Sequence, residues 1–238
     1  MFHPQGPTFC ELAVQALSST EHGYDLIAPK FDFTPFRTPD EVLAPSLRYL
    51  GPPASIGSAL DVCCGTGAAT RLLRPLCRER VVGVDFSQGM LDEARRRTAR
   101  ASDTADLTFS RQDVLDMTFD AEFDVAVSFG SFGHFLPQEQ PRLVSRIVRA
   151  LKPGGRFVFV TVERAPSAWV WLLCRAFNAG MQIRNGMRRP PFIMYYLTFL
   201  LAEAQAMLEQ ENCQVHVIRN LFPRPYQSLV LVEARRMA

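Results

Sequence analysis

The feature that most constrains the fold of this chain is an alternation, from Leu60 onward, of short apolar runs with longer amphipathic segments. Runs such as Val81 to Asp85 are too short for helices and almost continuously apolar, as expected for strands buried on both faces. Strands that alternate with helices indicate βαβ units and a mainly parallel sheet. The predicted strands are Ser58 to Cys63, Val81 to Asp85, Leu107 to Ser110, Phe123 to Phe129 and Arg156 to Val162, and the predicted helices are Ala68 to Cys77, Gly89 to Ala99 and Gln138 to Leu151.

The C-terminal part follows a different pattern. Pro153-Gly154-Gly155 predicts a turn that stops the preceding helix, and Thr198 is a candidate N-cap for a helix that runs to about Glu211. Strand candidates follow at Gln214 to Arg219 and Ser228 to Ala234. The link between them is too short for a helical crossover, so we expect an antiparallel hairpin.

Composition and charge limit the classes of function. Hydrophobic residues make up 47% of the chain and charged residues 21%, and the net charge is only +2, so nothing global indicates a nucleic-acid or membrane binder. The six cysteines include no CxxC pair, so we expect reduced thiols and no metal site. The N-terminus lacks the pattern of a secretory signal, and the most apolar stretch, Phe192 to Leu208, is short for a bilayer span. We therefore expect a cytoplasmic protein without a membrane span.

A glycine-containing loop between the first predicted strand and helix is the first candidate for a ligand site. In Leu60 to Gly67, the glycines Gly65 and Gly67 allow a sharp turn and a close approach of a ligand to the backbone. Asp85 ends the next strand 18 residues after Gly67, where a doubly wound fold places a carboxylate near ribose hydroxyls. Loop and acid together indicate a nucleoside-containing cofactor.

The residue before the loop helps to choose the cofactor. Asp61 would repel a pyrophosphate but could hold the ammonium group of a methionine moiety. A dinucleotide loop also has three glycines as a rule, and the third position here is Ala69. The charge therefore favours S-adenosyl-L-methionine over a nicotinamide dinucleotide.

Five ordered stretches together resemble class I S-adenosylmethionine-dependent methyltransferases, particularly the small-molecule group that includes quinone-biosynthesis enzymes. They are LDVCCGTGAAT at Leu60, VVGVDFSQGML at Val81, RQDVLDM at Arg111, FDVAVSFGSFGHF at Phe123 and LKPGGRF at Leu151. Cys63 departs from the pattern, because it stands where the loop usually has its first glycine. With the strands above, the expected fold is a Rossmann-like, doubly wound α/β sheet of seven strands in the order 3-2-1-4-5-7-6, its last strand antiparallel, with cap segments at the N-terminus and after strand 5.

The resemblance also implies roles for individual residues. Asp61, Cys63, Gly65 and Gly67 would hold the methionine end, and Asp85 would accept hydrogen bonds from the ribose hydroxyls. The other implied residues are Phe86 and Met90 against the adenine, Asp113 at its amino group beside Gln112 and Val114, Ser128, Phe129 and Gly130 along the methyl channel, and Tyr24 and Arg37 closing over the methionine end. Simpler readings stay open: Asp113 as a turn residue, Phe86 and Met90 as core, and Arg37 as a surface charge.

Chemistry on the acceptor would need little from the protein beyond positioning, since the sulfonium already activates the methyl group. His134 is the candidate general base, because it lies beside the expected methyl channel and its ordinary pKa suits proton transfer near neutrality. The alternative is a histidine that lines the pocket or bonds a backbone carbonyl, because proximity alone can drive methyl transfer.

The predicted organisation is one domain over 1–238: an N-terminal cap at 1–56, a cofactor-binding core at 57–163, a substrate lid at 164–197, and a final helix and hairpin at 198–238. Both caps should fold over the carboxyl ends of the strands. The expected function is methyl transfer to the O, C or N atom of a small molecule, with S-adenosyl-L-homocysteine as product, no nucleic-acid partner, and a homodimer left open. The alternatives are an RNA- or protein-modifying methyltransferase, a non-catalytic cofactor-binding module, and a nicotinamide oxidoreductase.

Overall fold

The computed structural model describes residues 3–99, 105–165 and 167–237, and a seven-stranded sheet forms its centre. The strand order β3-β2-β1-β4-β5-β7-β6 confirms the predicted topology. Strand β7 is antiparallel to both β5 and β6, which confirms the terminal hairpin, and the other pairs are parallel. The strands are β1 Ile56–Val62, β2 Cys77–Asp85, β3 Asp106–Arg111, β4 Phe123–Ser128, β5 Leu151–Val162, β6 Cys213–Ile218 and β7 Leu229–Arg236.

Helices cover both faces of the sheet, and the central strands are apolar for that reason. All seven residues of β1 are buried. Its side chains alternate between two cores, since Leu60 and Val62 belong to one and Ala59 to the other. The α-helices of the described residues are α1 Phe9–Leu17, α2 Thr20–Ile27, α3 Asp40–Tyr49, α4 Ala68–Leu73, α5 Gln88–Thr98, α6 Gln140–Ala150, α7 Ala168–Met187 and α8 Leu201–Gln210.

The fifth strand differs from its prediction. It begins at Leu151 instead of Arg156 and continues through Pro153-Gly154-Gly155, so these residues do not form a separate turn. The pairing with β4 shifts between Phe123 and Val125, which takes up the additional residues of β5. Gly154 has φ +78°, a backbone conformation that glycine adopts without a steric penalty. The sequence signal for a turn thus marks an irregularity inside a strand.

The prediction that Thr198 caps the last helix is wrong. Helix α8 begins at Leu201, with Leu200 at the N-cap position and no side-chain capping bond. Tertiary hydrogen bonds hold the preceding residues out of the helix: the Thr198 carbonyl accepts from Gln140 Nε2 at 3.0 Å, and the Phe199 carbonyl accepts from Thr161 Oγ1 at 2.5 Å. Residues 193–200 therefore lie outside the helix and form part of a cavity wall.

Candidate functional site

A cavity of about 630 Å³ lies at the carboxyl ends of the central strands. The strand order reverses between the neighbouring strands β1 and β4, and this is the position where open α/β sheets bind ligands. The volume suits a small-molecule site. The structure brings most of the predicted site residues to this cavity, namely Tyr24, Arg37, Asp61, Cys63, Gly65, Asp85, Phe86, Met90, Gln112, Asp113, Val114, Phe129, Gly130 and His134.

Two predicted residues lie behind the wall instead. Ser128 is only 1% exposed, and its hydroxyl donates to the Val62 carbonyl at 2.9 Å and shares a hydrogen bond with Ser131. Gly67 is the N-cap of α4, and its N–H donates to the Cys64 carbonyl. Both therefore shape the loop and the strand end without contacting the cavity.

The loop after β1 has the backbone geometry that its glycines predict. Gly65 has φ +52°, and a Cβ built on it would have no atom within 4 Å, so this side of the loop is open. Cys63 has φ +57°, in the left-handed region that favours glycine. This conformation accounts for the glycine usually found at the position, and the chain accepts some strain to hold a cysteine there.

Two carboxylates face the cavity without a cationic partner. Asp85 accepts from the backbone N–H of Gly65 and of Ser87, each at 2.9 Å, and burial raises its pKa to about 6. Asp61 accepts from Thr70 Oγ1 at 2.5 Å, and burial raises its pKa to about 7. Neither forms an ion pair within residues 3–99, 105–165 and 167–237. A ligand with hydroxyl donors or an ammonium group would stabilise their ionised forms.

Arginines gather around Asp32 at one edge of the cavity, and sequence reasoning missed this cluster. Asp32 accepts a hydrogen bond from Thr66 Oγ1 and from Arg97 Nη1, and Arg71 and Arg37 lie within 3.5 Å and 3.8 Å of its oxygens. Arg37 Nε is buried and donates no hydrogen bond to any described residue. Arg37 lines the cavity, and its guanidinium therefore has a donor that an anionic ligand group could use. The cluster is visible only in the folded structure, because Asp32 belongs to no sequence motif.

The part of the cavity wall that follows β2 and β3 contains the residues predicted to contact an adenine. Met90 is buried, and Phe86 lies at the cavity surface. Asp113 Oδ1 accepts from Leu115 N at 2.9 Å, so Asp113 also shapes a turn. Its carboxylate still lines the cavity, and a turn role and a ligand role are compatible because a carboxylate has several acceptor sites.

His134 lies between the N-terminal segment and the chain after α7. Its Nδ1 is 2.7 Å from the Ile193 carbonyl, which can only accept, so this nitrogen carries the proton. Its Nε2 then accepts from the Tyr24 hydroxyl at 2.9 Å. Burial lowers the pKa of the imidazole and raises that of the Tyr24 phenol, so both groups are neutral.

Two hydrogen bonds, here together called the seam, join the turn that contains His134 to the opposite wall of the cavity. The Tyr195 N–H donates to the Gly133 carbonyl at 2.8 Å, next to the bond between His134 and Ile193. A Cβ on Gly133 would lie 2.4 Å from the Tyr195 carbonyl oxygen, so only glycine permits this approach. The seam fixes residues 193–200, which line this side of the cavity.

The segment 164–197 covers the site only in part. Tyr195 and Tyr196 line the cavity, as expected for aromatics above the strands. Trp169 and Trp171 instead lie on α7 with their side chains exposed, away from the cavity, which differs from the predicted lid. The sequence showed that this segment is rich in aromatic residues. It did not show which face of α7 packs against the rest of the protein.

Comparison with known proteins agrees with this geometry. Residues 59–155 match the family model described as a methyltransferase domain. A demethylmenaquinone methyltransferase of Symbiobacterium thermophilum is 37% identical over 114 residues, which cover 47% of this chain and 45% of that protein. A 2-phytyl-1,4-naphtoquinone methyltransferase of Nostoc punctiforme is 34% identical over 110 residues, 45% of this chain and 47% of that protein. The chain spans about half the length of the curated relatives it matches.

The fold has counterparts among solved structures. A DhpI–SAH complex superposes with a TM-score of 0.66 and 21% identity, over 97% of this chain and 99% of that one. Residues 59–155 are thus similar to a methyltransferase domain, and the whole chain shares the Rossmann-like fold of this solved structure.

Proposed function

We propose that this chain transfers a methyl group from S-adenosyl-L-methionine to an O, C or N atom of a small molecule. The observation that carries the proposal is the buried carboxylate of Asp85 beside the open Gly65 turn, in a cavity at the switch point of the sheet. The match to a methyltransferase domain and the quinone-methylating relatives support the same reading.

The residues at the cavity fit this cofactor. Asp85 would accept from the ribose hydroxyls, and Asp61 would neutralise the methionine ammonium, which explains two buried acids that form no ion pair within the described parts of the chain. Arg37, whose buried Nε donates no hydrogen bond to any described residue, would bind the methionine carboxylate. Phe86 and Met90 would pack on the adenine.

The bound cofactor would supply an electrophilic methyl group on its sulfonium, and the chain would supply position and shelter from water. Phe129 and Gly130 line the cavity where β4 ends, next to the wall of residues 193–200. An acceptor held between these surfaces would face the methionine end, and such positioning accounts for much of the rate in a displacement of this kind.

Tyr24 and His134 would take the proton from an acceptor that has to lose one. The Tyr24 oxygen accepts the acceptor's proton while its own proton passes to His134 Nε2, a nitrogen that already accepts from it. In this arrangement Tyr24 contacts the acceptor and His134 is the positioning residue behind it. Because the imidazole is neutral, Nε2 is ready to receive the proton.

The remaining features belong to the same proposal. The segments 1–56 and 164–197 act as caps on one domain, and the protein works in the cytoplasm, where the free thiols of the described cysteines persist. A homodimer is the open alternative to a monomer, and light scattering of the purified protein decides between them.

The decisive experiment measures cofactor turnover against a panel of phenols, quinones, amines and carboxylic acids. Calorimetry with S-adenosyl-L-homocysteine should show binding, and calorimetry with NADH should not. Binding of bulk RNA at moderate salt should be weak, because an RNA acceptor requires a coherent basic face. Binding of NADH in preference to S-adenosyl-L-homocysteine would refute the proposal.

A further inference from the structure

Helix α7 has an apolar stripe that faces away from the protein. The stripe, here called the outer stripe, repeats every three or four residues, so its members share one face of the helix. Trp169 is 66% exposed, Ile183 65% and Met187 81%, and the others are exposed as well. The outer stripe consists of Trp169, Leu172, Leu173, Ala176, Gly180, Ile183 and Met187.

Three polar side chains of α7, those of Asn178, Arg184 and Asn185, hold the helix against the protein by hydrogen bonds. Asn178 exchanges two hydrogen bonds with the Tyr196 backbone, and Asn185 bonds the Phe192 backbone in the same way. Arg184 donates to the Ser18 carbonyl at the end of α1, at 2.7 Å. These bonds fix the rotation of α7, so the outward direction of the outer stripe is built into the fold.

The charge around α7 has one sign. From Arg164 to Ala202 the chain contains five arginines and no Asp or Glu. None of these arginines forms an ion pair within the described parts of the chain, whereas Arg95, Arg96 and Arg97 on α5 are all paired with acids. Arg175 stacks over the Trp171 ring at 4.7 Å, which leaves its guanidinium beside an exposed aromatic surface.

Helix α7 also lies next to the acceptor side of the cavity. Tyr196 lines the cavity, is 39% exposed, and its ring contacts that of Phe177 on α7. An acceptor entering beside Tyr196 would therefore pass along α7. The position connects the apolar helix to the site of the proposed reaction.

We propose that the outer stripe binds the surface of an anionic phospholipid bilayer and that the acceptor is a lipophilic molecule drawn from it. An amphipathic helix with tryptophans, aliphatic residues and unpaired arginines suits the region where acyl chains meet headgroups. The helix lies on the bilayer, since among the described residues no helix is long and apolar enough to cross one. A second copy would fit less well, because it would bring two sets of unpaired arginines together. The acceptor part of this proposal depends on the proposed function, but the lipid part does not.

Vesicle cosedimentation of the whole protein tests the lipid part directly. The wild type should bind vesicles of mixed phosphatidylglycerol and phosphatidylcholine more strongly than vesicles of pure phosphatidylcholine. The double variant Trp169→Glu, Ile183→Glu should bind at least about tenfold more weakly, because each side chain contributes apolar area to the bilayer contact. Leu72→Glu on α4, 38% exposed, is the matched control and should bind as the wild type does.

The contribution of charge is tested by Arg188→Gln with Arg189→Gln, which should lower the affinity for the anionic vesicles by about 30-fold, because two cations are lost from the bilayer contact. Arg142→Gln with Arg149→Gln on α6 removes the same charge from another exposed face and should leave binding unchanged.

Two results would overturn the proposal: no cosedimentation of a folded wild type, or a dimer in light scattering that Trp169→Glu with Ile183→Glu converts to a monomer. The second result would assign the outer stripe to a copy of this chain. Affinity for S-adenosyl-L-homocysteine should be the same in this double variant as in the wild type, because no residue of the stripe lines the cavity. Loss of lipid binding and failure of the cofactor proposal are therefore measured separately.

Discussion

Asp85→Asn should stabilise the empty protein while it weakens cofactor binding. Burial raises the Asp85 pKa from 3.8 to about 6, so holding the carboxylate ionised above neutral pH costs about 3 kcal/mol. Asparagine has no charge to desolvate, but its single oxygen replaces two that accept from Gly65 and Ser87, a loss of about 1 kcal/mol. The free energy of unfolding should therefore rise by about 1–2 kcal/mol.

The affinity should change in the opposite direction. In the proposed complex the carboxylate would offer charge-assisted hydrogen bonds to a sugar diol, each contributing about 1.5–3 kcal/mol. The amide keeps part of one such bond, so we expect a net loss of about 2–4 kcal/mol, which is about 30-fold to 1,000-fold in Kd.

Urea denaturation of the empty protein and calorimetry with S-adenosyl-L-homocysteine measure the two quantities. Asp92→Asn is the matched control, because its carboxylate is 63% exposed and pairs with Arg95 on the surface. This control should change either quantity by less than about 1 kcal/mol. A destabilised Asp85→Asn protein, or one whose Kd stays within about threefold of the wild type, would refute the reasoning.

Three further predictions concern the same site. The folded pKa of Asp61, about 7, lies above its unfolded value, so this group favours the folded state at low pH and loses that contribution as pH rises from about 4 to 7. The stability advantage of Asp61→Asn over the wild type should thus grow across that range in pH-dependent denaturation, and a constant difference would contradict it. Tyr24→Phe and His134→Ala should both lower kcat by about 100-fold on acceptors that lose a proton. The affinity for S-adenosyl-L-homocysteine should change little in either variant. Near-normal turnover of His134→Ala at saturating acceptor would exclude the proton path. Cys63→Gly should keep the free energy of unfolding within about 1 kcal/mol, whereas Cys63→Val should lower it by about 2 kcal/mol, because a β-branched residue resists a positive φ; equal stabilities would show that the loop is not strained.

The sheet was predictable because its signals are local. Buried parallel strands must be apolar throughout, and runs such as Val81 to Asp85 therefore mark their own positions. The loop at Gly65 and the acid at Asp85 each end a strand, so their meeting follows from the topology alone. Topology brings the carboxyl ends of β1 and β2 together whatever the surrounding segments do.

The cap segments were harder to predict, because long-range contacts determine them. Thr198 has the chemistry of an N-cap, but Gln140 binds its carbonyl and the helix begins later. The face that α7 presents to the protein depends on Asn178 and Asn185 bonding a distant turn of chain. The arginine cluster around Asp32 likewise unites residues from three separate elements, which a sequence pattern does not show.

The seam between Gly133 and Tyr195 has a consequence for the evolution of substrate choice. At the seam, the cavity wall is held by one hydrogen bond between main-chain groups and one between an imidazole and a carbonyl. Rotation of a side chain therefore cannot widen the cavity there. In the proposed function, a descendant that accommodates a bulkier molecule on this side would have to alter the backbone at this junction. Natural diversification of the acceptor should consequently leave its record in the lengths of the segments on either side of the junction.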